Sequence, residues 1–325
     1  MLEEVFVQIV NMSVTAGIMV LAVLLLRLLL KKMPKIYSYV LWSVVLFRLL
    51  CPVSFGTEYS LIGMLDTGTV KQGKVAYIWT DEVLKRDEEK NETIIEEAGL
   101  EKESTSSEQI LPQIEEEQQL NHKMLLKMAG RVWMFGIVLI VGGSLRELLL
   151  LGKKLKKAVW QRDNVYFCKE VQTPFMIGIL EPKIILPFTI KEEEMEYIIL
   201  HEQIHMKRKD HIIRMVSFLC VCVHWFNPLI WLAFFLSGKD MEMSCDEAVI
   251  RSLGNSVKKE YSMSLLALAS GGRIVGGAPV LFGEGDTKSR IKNVLNFREQ
   301  KKAAIGVCVV ICVVAGVFLL GNPTE

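Results

Sequence analysis

The sequence predicts a mainly α-helical integral membrane protein with a mixed α and β domain on the cytoplasmic side. Hydrophobic residues make up 51% of the 325 residues and the mean hydropathy is +0.32, which is high for a soluble protein of this size. Four long apolar segments are flanked by lysines and arginines, as membrane spans are. Between the third and the fourth, short strand-like segments and an amphipathic helical pattern indicate a folded polar domain.

Residues 1–56 are predicted to form two transmembrane helices. The first apolar stretch, from about Val5 to Leu30, is too long for the apolar region of a signal peptide. The second runs from about residue 36 to residue 55. The connector 31–35 between them is rich in lysine, so the positive-inside rule places it in the cytoplasm and the N-terminus outside.

Residues 57–128 are predicted to be an acidic extracellular loop. The segment is rich in glutamate and low in apolar periodicity, which favours a solvated, partly disordered chain. A sensory or partner-binding role is the alternative. The third transmembrane helix is predicted at residues 129–151, and the lysines that follow it return the chain to the cytoplasm.

Residues 152–302 are predicted to be the cytoplasmic domain. Segments 165–168 and 183–187 are expected to be strands. Pro182 and Pro187 bracket the second, which favours an edge strand because proline cannot donate to a neighbouring strand.

The next element is a predicted helix that carries the most informative motif of the chain. It begins near Lys191 with three glutamates, which favour a helix N-terminus, and it contains His201-Glu202-Gln203-Ile204-His205. Residues i and i+4 share a helix face, so both imidazoles can bind one Zn²⁺. Glu202 lies beside them as a general base for a water molecule. This HExxH spacing is typical of zinc proteases.

Residues 212–236 are apolar and are predicted to form a re-entrant helical hairpin. As one straight helix they would extend roughly 37 Å and would separate the two ends by a whole membrane. However, both flanks are basic, with Lys207-Arg208-Lys209 before the segment and Lys239 after it. Asn227-Pro228 in the middle breaks the helix. A proline-kinked full span is the alternative.

A third metal ligand is expected after this hairpin. Glu242 and Asp246 are i and i+4 on one helix face. A catalytic zinc has three protein ligands and one open position, so Glu242 is the predicted third ligand. Asp246 is expected to hydrogen-bond a ligand histidine. Asp240 or Glu247 could replace Glu242, and a solvated acidic helix start is the simpler alternative.

The rest of the chain returns to the membrane. Residues 290–295 are predicted to form a short basic helix whose basic side rests on the inner membrane surface. Residues 303–320 are the predicted fourth transmembrane helix, and 321–325 a short external tail. The seven cysteines are mostly in apolar segments and predict no disulfide framework.

The chain resembles the BlaR/MecR-type membrane zinc metallopeptidases, the antirepressors of beta-lactam resistance. The resemblance covers most of residues 36–250 and is far more specific than HExxH alone. The matching residues, in chain order, are Trp42, Arg48-Leu49-Leu50, Pro52, Gly178 to Pro187, His201-Glu202-Gln203-Ile204-His205, Arg208, Asp210, Trp225-Phe226-Asn227-Pro228-Leu229, Glu242 and Cys245-Asp246.

The resemblance implies a zinc endopeptidase of the bacterial plasma membrane whose active site faces the cytoplasm. It implies a signalling role in which the enzyme cleaves a cytoplasmic protein such as a DNA-binding transcriptional repressor, and self-cleavage is also known in the family. Sensor members carry a penicillin-binding domain after the last span, whereas five residues follow it here, so the expectation is a member without that domain.

The expected partners are membrane lipids and the protein substrate, and a homodimer is left open. No direct nucleic-acid contact is expected from a net charge of +1. The expected substrate mode is strand addition along residues 183–187. A non-proteolytic receptor or scaffold with a structural zinc site is the alternative function.

Overall fold

A computed structural model of the protein describes residues 2–51, 55–57, 107–270 and 287–323. Its helices are α1 (Leu2–Leu29), α2 (Lys35–Leu50), α3 (Ser107–Leu155), α4 (Glu192–Arg208), α5 (Asp210–Val223), α6 (Pro228–Leu253), α7 (Lys258–Ser270), α8 (Thr287–Asn296) and α9 (Lys302–Leu320). Its strands are β1 (Phe55–Thr57), β2 (Val159–Arg162), β3 (Val165–Cys168), β4 (Phe175–Ile177), β5 (Lys183–Pro187) and β6 (Gly321–Pro323). The chain is thus mostly helical with a small sheet, as predicted at that level.

Helices α1 and α2 form an antiparallel pair. A 3₁₀ turn at Leu30–Lys32 ends α1, and Pro34 stands at the N-cap of α2, where its missing N–H is not needed. Buried apolar side chains of both helices form one core with the α5–α6 segment, including Val20, Leu41 and Ile230. The turn between α1 and α2 therefore marks one end of this bundle.

Two described helices are long and apolar enough to cross a membrane, Leu2–Lys32 and Met124–Leu155, and Ala303–Leu319 is a shorter apolar helix. The apolar part of α3 is hardly buried, with Phe135 63% and Val138 60% exposed. A surface of this kind suits lipid better than water. Helices α2 and α9 cover the other two predicted spans, and the crossing of the membrane by each of the four helices stays a prediction.

The last part of the predicted loop 57–128 is helical, because α3 begins at Ser107, and its placement outside the membrane stays a prediction. The glutamates and glutamines of this part are good helix formers, but they give no apolar face that periodicity could detect. Residues 58–106, which make up most of the predicted loop, lie outside the described residues.

Helices α5 and α6 form a hairpin whose tip is well bonded. Asn227 caps α6 by accepting from the Leu229 N–H (2.9 Å), and its amide donates to Ser13 of α1 at 2.9 Å. The Trp133 indole of α3 donates to the Val223 carbonyl at 2.8 Å. Two backbone groups beside the break at Pro228, the Val223 carbonyl and the Leu229 N–H, are thus bonded to side chains of the protein, as a hairpin inside a membrane would require.

The open end of the hairpin lies at the α1–α2 turn. Asp210, which begins α5, accepts a hydrogen bond from Tyr39 near the start of α2, at 3.0 Å. Asp240 in α6 accepts from Arg27 near the end of α1, at 2.6 and 2.8 Å. Both ends of residues 210–240 therefore lie on the same side of the bundle, which is the geometry of a hairpin and not of one kinked helix.

A four-stranded sheet in the order β2-β3-β5-β4 packs against α4. Strand β5 pairs with β3 in parallel and with β4 in antiparallel orientation, so the predicted edge strand at 183–187 is in fact central. Pro182 precedes this strand and Pro187 is its last residue, so the ladder inside it needs no N–H from either proline. Strand β4 is the free edge on this side. The turn between β4 and β5 needs Gly178, because its φ is +107° and a side chain would fall against the Glu181 carbonyl.

Helices α7 and α8 close the domain over α4 and α6. Their apolar contacts form a cluster that includes Ile250 of α6, Tyr261 of α7 and Val294 of α8. Helix α9 then returns along α2, and β6 after it pairs in parallel with β1 after α2. The sheet, α4, α6, α7 and α8 thus surround one polar site.

Candidate metal centre

Helix α4 presents two buried histidines on one face. His201 and His205 are each 7% exposed, and their Nε2 atoms lie 3.0 Å apart. Four residues separate them, so successive helix turns bring the two rings together. Two nitrogen donors at this separation can bind the same ion.

The other ring nitrogen of each histidine faces an acceptor. His205 Nδ1 lies 2.7 Å from Asp210 Oδ2. His201 Nδ1 lies 2.9 Å from the Tyr261 hydroxyl, which donates to Asp246 Oδ1 at 2.7 Å. When the imidazoles are neutral, this pattern favours the proton on Nδ1, so that each Nε2 lone pair can bind a metal.

Glu242 faces both histidines from α6. Its Oε2 lies 3.4 Å from His201 Nε2 and 3.7 Å from His205 Nε2. Burial by itself would raise the pKa of this carboxyl, but the charge of Arg290 and the contacts with the two histidines hold the pKa well below its ordinary value. An ionised carboxylate oxygen therefore lies where a third donor is needed.

Cys245 is a further donor near the histidine pair. Its sulfur and one nitrogen of each histidine lie within 4.8 Å of one another, and all three residues are buried. The thiol also donates to the backbone carbonyl of His201 at 3.4 Å. Cys245 is thus packed against the backbone of α4 and also lies beside the two imidazoles, which Glu242 faces from α6.

Arg290 of α8 is the main cation of the site. Its guanidinium makes a bidentate contact with Asp246, at 2.9 Å and 2.7 Å. It also lies 3.3 Å from Glu242 and 3.4 Å from His201 Nε2. Burial would lower the pKa of this group, but Asp246 and Glu242 outweigh it and raise the pKa above its ordinary value. The predicted surface-lying basic helix 290–295 is therefore wrong for Arg290, because two buried carboxylates attract it inward.

Glu202 lines the same cavity as the histidines. This cavity has a volume of about 190 Å³, and Glu202, His201, His205, Glu242, Phe175 and Met176 are among its lining residues. Glu202 itself is partly exposed, so its carboxylate is accessible to water in the cavity. The structure brings all five predicted site residues to one place: His201, Glu202, His205, Glu242 and Asp246.

The two alternative ligands lie elsewhere. Asp240 is bonded to Arg27 and to the indole of Trp42 (3.0 Å). Glu247 accepts from the backbone N–H of Lys35 at 2.9 Å and from Asn293 at 3.0 Å. Each is engaged in joining α6 to other helices, so neither is placed to compete with Glu242.

Tyr261 and Arg290 are site residues that sequence reasoning missed. Each reaches the site from a helix that no motif marks, 60 and 89 residues after His201. Helix α7 contains a single tyrosine and α8 a single arginine, so neither helix has a residue spacing that would indicate a site. Asp210 was noted only as part of the resemblance, although it lies five residues after His205.

The chain is similar to known proteins. The family described as BlaR1 peptidase M56 matches residues 7–294. Regulatory protein BlaR1 of Bacillus licheniformis is 28% identical over 240 residues, which is 64% of this chain and 39% of that protein. Methicillin resistance mecR1 proteins of Staphylococcus aureus (strain Mu50) and Staphylococcus epidermidis are 26% identical over 158 residues, 42% of this chain and 27% of theirs. The chain thus spans well under half the length of these relatives.

Proposed function

The chain belongs to the BlaR1 peptidase M56 family, and from this premise we propose that it is a membrane-bound zinc endopeptidase with a signalling role. The observation that carries the proposal is the arrangement of two histidines whose Nε2 atoms lie 3.0 Å apart, a facing carboxylate and Glu202 on one cavity. The proposed substrate is a cytoplasmic protein such as a transcriptional repressor. The chain itself is a further candidate substrate.

The donor set fits zinc. Two imidazole nitrogens and one carboxylate oxygen are the donors of many catalytic zinc sites, which keep a fourth position open. Nδ1 hydrogen bonds to Asp210 and to the Tyr261–Asp246 pair hold both rings in the orientation that such binding needs. We propose His201, His205 and Glu242 as the ligands and Asp246 as a residue that orients His201.

The protein groups would divide the remaining chemistry. Bound Zn²⁺ in such a site supplies Lewis acidity, which activates water near neutral pH and polarises a scissile carbonyl. The Glu202 carboxylate would take the proton of the attacking water and transfer it to the leaving amide nitrogen. Burial of the histidines and Glu242 excludes bulk water from the far side of the site.

The substrate is better placed on β4 than on β5. Both edges of β5 are already paired, so a peptide cannot add along residues 183–187. Among the described strands, none pairs with the outer edge of β4, and its residues Phe175 and Met176 line the site cavity. An extended peptide added to that edge would pass the metal-binding face of α4.

The membrane arrangement is part of the proposal. We place four spans at α1, α2, α3 and α9, with the N-terminus outside and the α5–α6 hairpin entering the membrane from the cytoplasmic side. The lipid-like exposure of α3 and the return of the hairpin to the α1–α2 turn support this arrangement. The metal centre lies beside that turn, so it would face the cytoplasm.

A non-proteolytic receptor is the second candidate, and Cys245 is the observation that favours it. Two histidines, Glu242 and Cys245 together would form a closed set of four donors, which is typical of structural zinc. Cys245→Ser separates the two cases. Zinc affinity nearly equal to wild type supports the three-donor catalytic site, and a large loss of affinity supports the structural one.

The test of the enzyme itself is Glu202→Gln in the full chain in membranes, with a candidate repressor as substrate. We expect zinc content to stay at the wild-type level while cleavage falls about 10²- to 10⁴-fold, because only the general base is lost. Glu196→Gln is the matched control, since this glutamate is exposed on the same helix. Equal cleavage by wild type and Glu202→Gln would exclude the proposed mechanism.

A further inference from the structure

Asp210 connects the metal centre to α2. Its Oδ2 lies 2.7 Å from His205 Nδ1, and its Oδ1 accepts a hydrogen bond from the Tyr39 hydroxyl at 3.0 Å. Asp210 is 1% exposed, so water contributes little to fixing its carboxylate. The position of this carboxylate is therefore set by protein groups on both sides.

Tyr39 is itself held in place by the adjoining helix end. The Arg208 guanidinium lies over the Tyr39 ring, 5.0 Å from its centroid, and its Nε lies 3.4 Å from Asp210 Oδ2. Arg208 also donates to Ser244 of α6 at 2.9 Å. The phenol thus has a fixed orientation toward Asp210 and not toward solvent.

One face of α2 is bonded to three carboxylates of α5 and α6. The Lys35 N–H donates to Glu247, the Tyr39 hydroxyl to Asp210 and the Trp42 indole to Asp240. Their spacings of four and three residues place these groups on one side of the helix. Of the three contacts, the one through Tyr39 leads directly to a proposed metal ligand.

We propose that Tyr39 is a positioning residue of the metal centre: it orients Asp210, which orients the imidazole of His205. The first turns of α2 are then part of the metal site, although α2 ends more than 140 residues before α4 begins. The inference rests on the proposed zinc-binding role of His205. It implies that a displacement of α2 relative to α5 reaches His205 through two successive hydrogen bonds, from Tyr39 to Asp210 and from Asp210 to His205.

The test measures metal binding in the full chain with Tyr39→Phe. This change removes one oxygen atom and keeps the ring beneath Arg208, so folding should be retained. We expect Zn²⁺ affinity, measured by competition with a chelator, to fall by up to about tenfold, less than the 10- to 100-fold typical of direct partners of ligand histidines. The absorption spectrum of bound Co²⁺ should also shift, because the orientation of one ligand ring changes.

Two controls lie on the same helix. Tyr37→Phe removes a hydroxyl from a residue that packs against the apolar core, and it should leave both measurements at the wild-type values. Trp42→Phe removes the bond to Asp240 without touching Asp210. A loss with Trp42→Phe as large as that with Tyr39→Phe would show that general anchoring of α2 matters and would overturn the inference.

A double-mutant comparison gives a second decision. If Tyr39 acts through Asp210, then Tyr39→Phe should add nothing to the loss caused by Asp210→Asn. Additive losses would overturn the inference. Wild-type zinc affinity and Co²⁺ spectrum in Tyr39→Phe would overturn it as well, and would leave the Glu202-dependent peptidase untouched. If the chain showed no Glu202-dependent cleavage while these metal measurements came out as expected, only the proposed function would be overturned.

Discussion

The two histidines of the site are supported in different ways. His201 is held by Tyr261, Asp246 and Arg290, which come from α6, α7 and α8 and include a full positive charge. His205 is held by Asp210, whose further partner Tyr39 is a neutral residue of the apolar helix α2. Arg208 approaches Asp210 only at 3.4 Å, with a single nitrogen.

This difference predicts a rigid support for His201 and an adjustable support for His205. A bidentate contact between a guanidinium and a carboxylate fixes both distance and plane, so Asp246 has one stable orientation. A single hydroxyl fixes less, so Asp210 follows Tyr39 and thereby α2. Mutations among the partners of His201 are therefore expected mainly to lower the stability of the fold. Mutations among the partners of His205 are expected to change zinc affinity by graded amounts.

The largest expected effect is at Arg290. Arg290→Met leaves the buried carboxylates of Asp246 and Glu242 without their cation, which should destabilise the fold by about 3–5 kcal/mol. Thermal or denaturant unfolding of the purified chain measures this loss. Lys292→Met is the control, because Lys292 is exposed on the same helix and should change stability little. Equal stability of the two variants would contradict the proposed rigid support.

The next effect compares the histidine partners directly. Asp210→Asn should weaken zinc binding by about 10- to 100-fold, because it removes the anionic partner of His205. Tyr261→Phe should weaken it less, because Asp246 stays fixed by Arg290 and its Oδ1 lies only 3.4 Å from His201 Nδ1. Chelator competition on both variants measures the difference. A larger loss with Tyr261→Phe would reverse the comparison.

Local spacing explains which parts of the site were predictable. His201 with His205, and Glu242 with Asp246, are i and i+4 pairs, so the helix itself brings each pair together. Asn227-Pro228 likewise carries its break in the local sequence. The resemblance to the BlaR/MecR-type family is confirmed by the family match over residues 7–294.

Tertiary contacts explain which parts of the fold and of the site were not predictable from the sequence. Tyr39, Tyr261 and Arg290 reach the site from three helices, and no local pattern distinguishes them from other tyrosines and arginines. The central place of β5 depends on which strands pair with it, and the prolines at its ends suggested the opposite. The first part of α3, over residues 107–128, is rich in glutamate and glutamine, so its sequence resembles that of a solvated loop.

The smallest expected effect concerns the hairpin tip, far from both histidines. Gly136 of α3 faces Trp225, and a side chain at this position would overlap the indole ring. Gly136→Ala should therefore lower stability by about 1–3 kcal/mol through overpacking. Zinc affinity should stay unchanged if support of the site comes only from the open end of the hairpin. Thermal unfolding and chelator competition on one preparation measure both quantities.

Gly142→Ala on the same helix is the matched control, since no described atom lies within 4 Å of the added carbon. It should leave stability equal or slightly higher, because alanine favours helix over glycine. A loss of zinc affinity in Gly136→Ala but not in Gly142→Ala would mean that packing at the tip is transmitted along α5 to Asp210. In that case the adjustable side of the site would extend over the whole hairpin, and the difference between His205 and His201 would be larger than the contacts around the metal centre indicate.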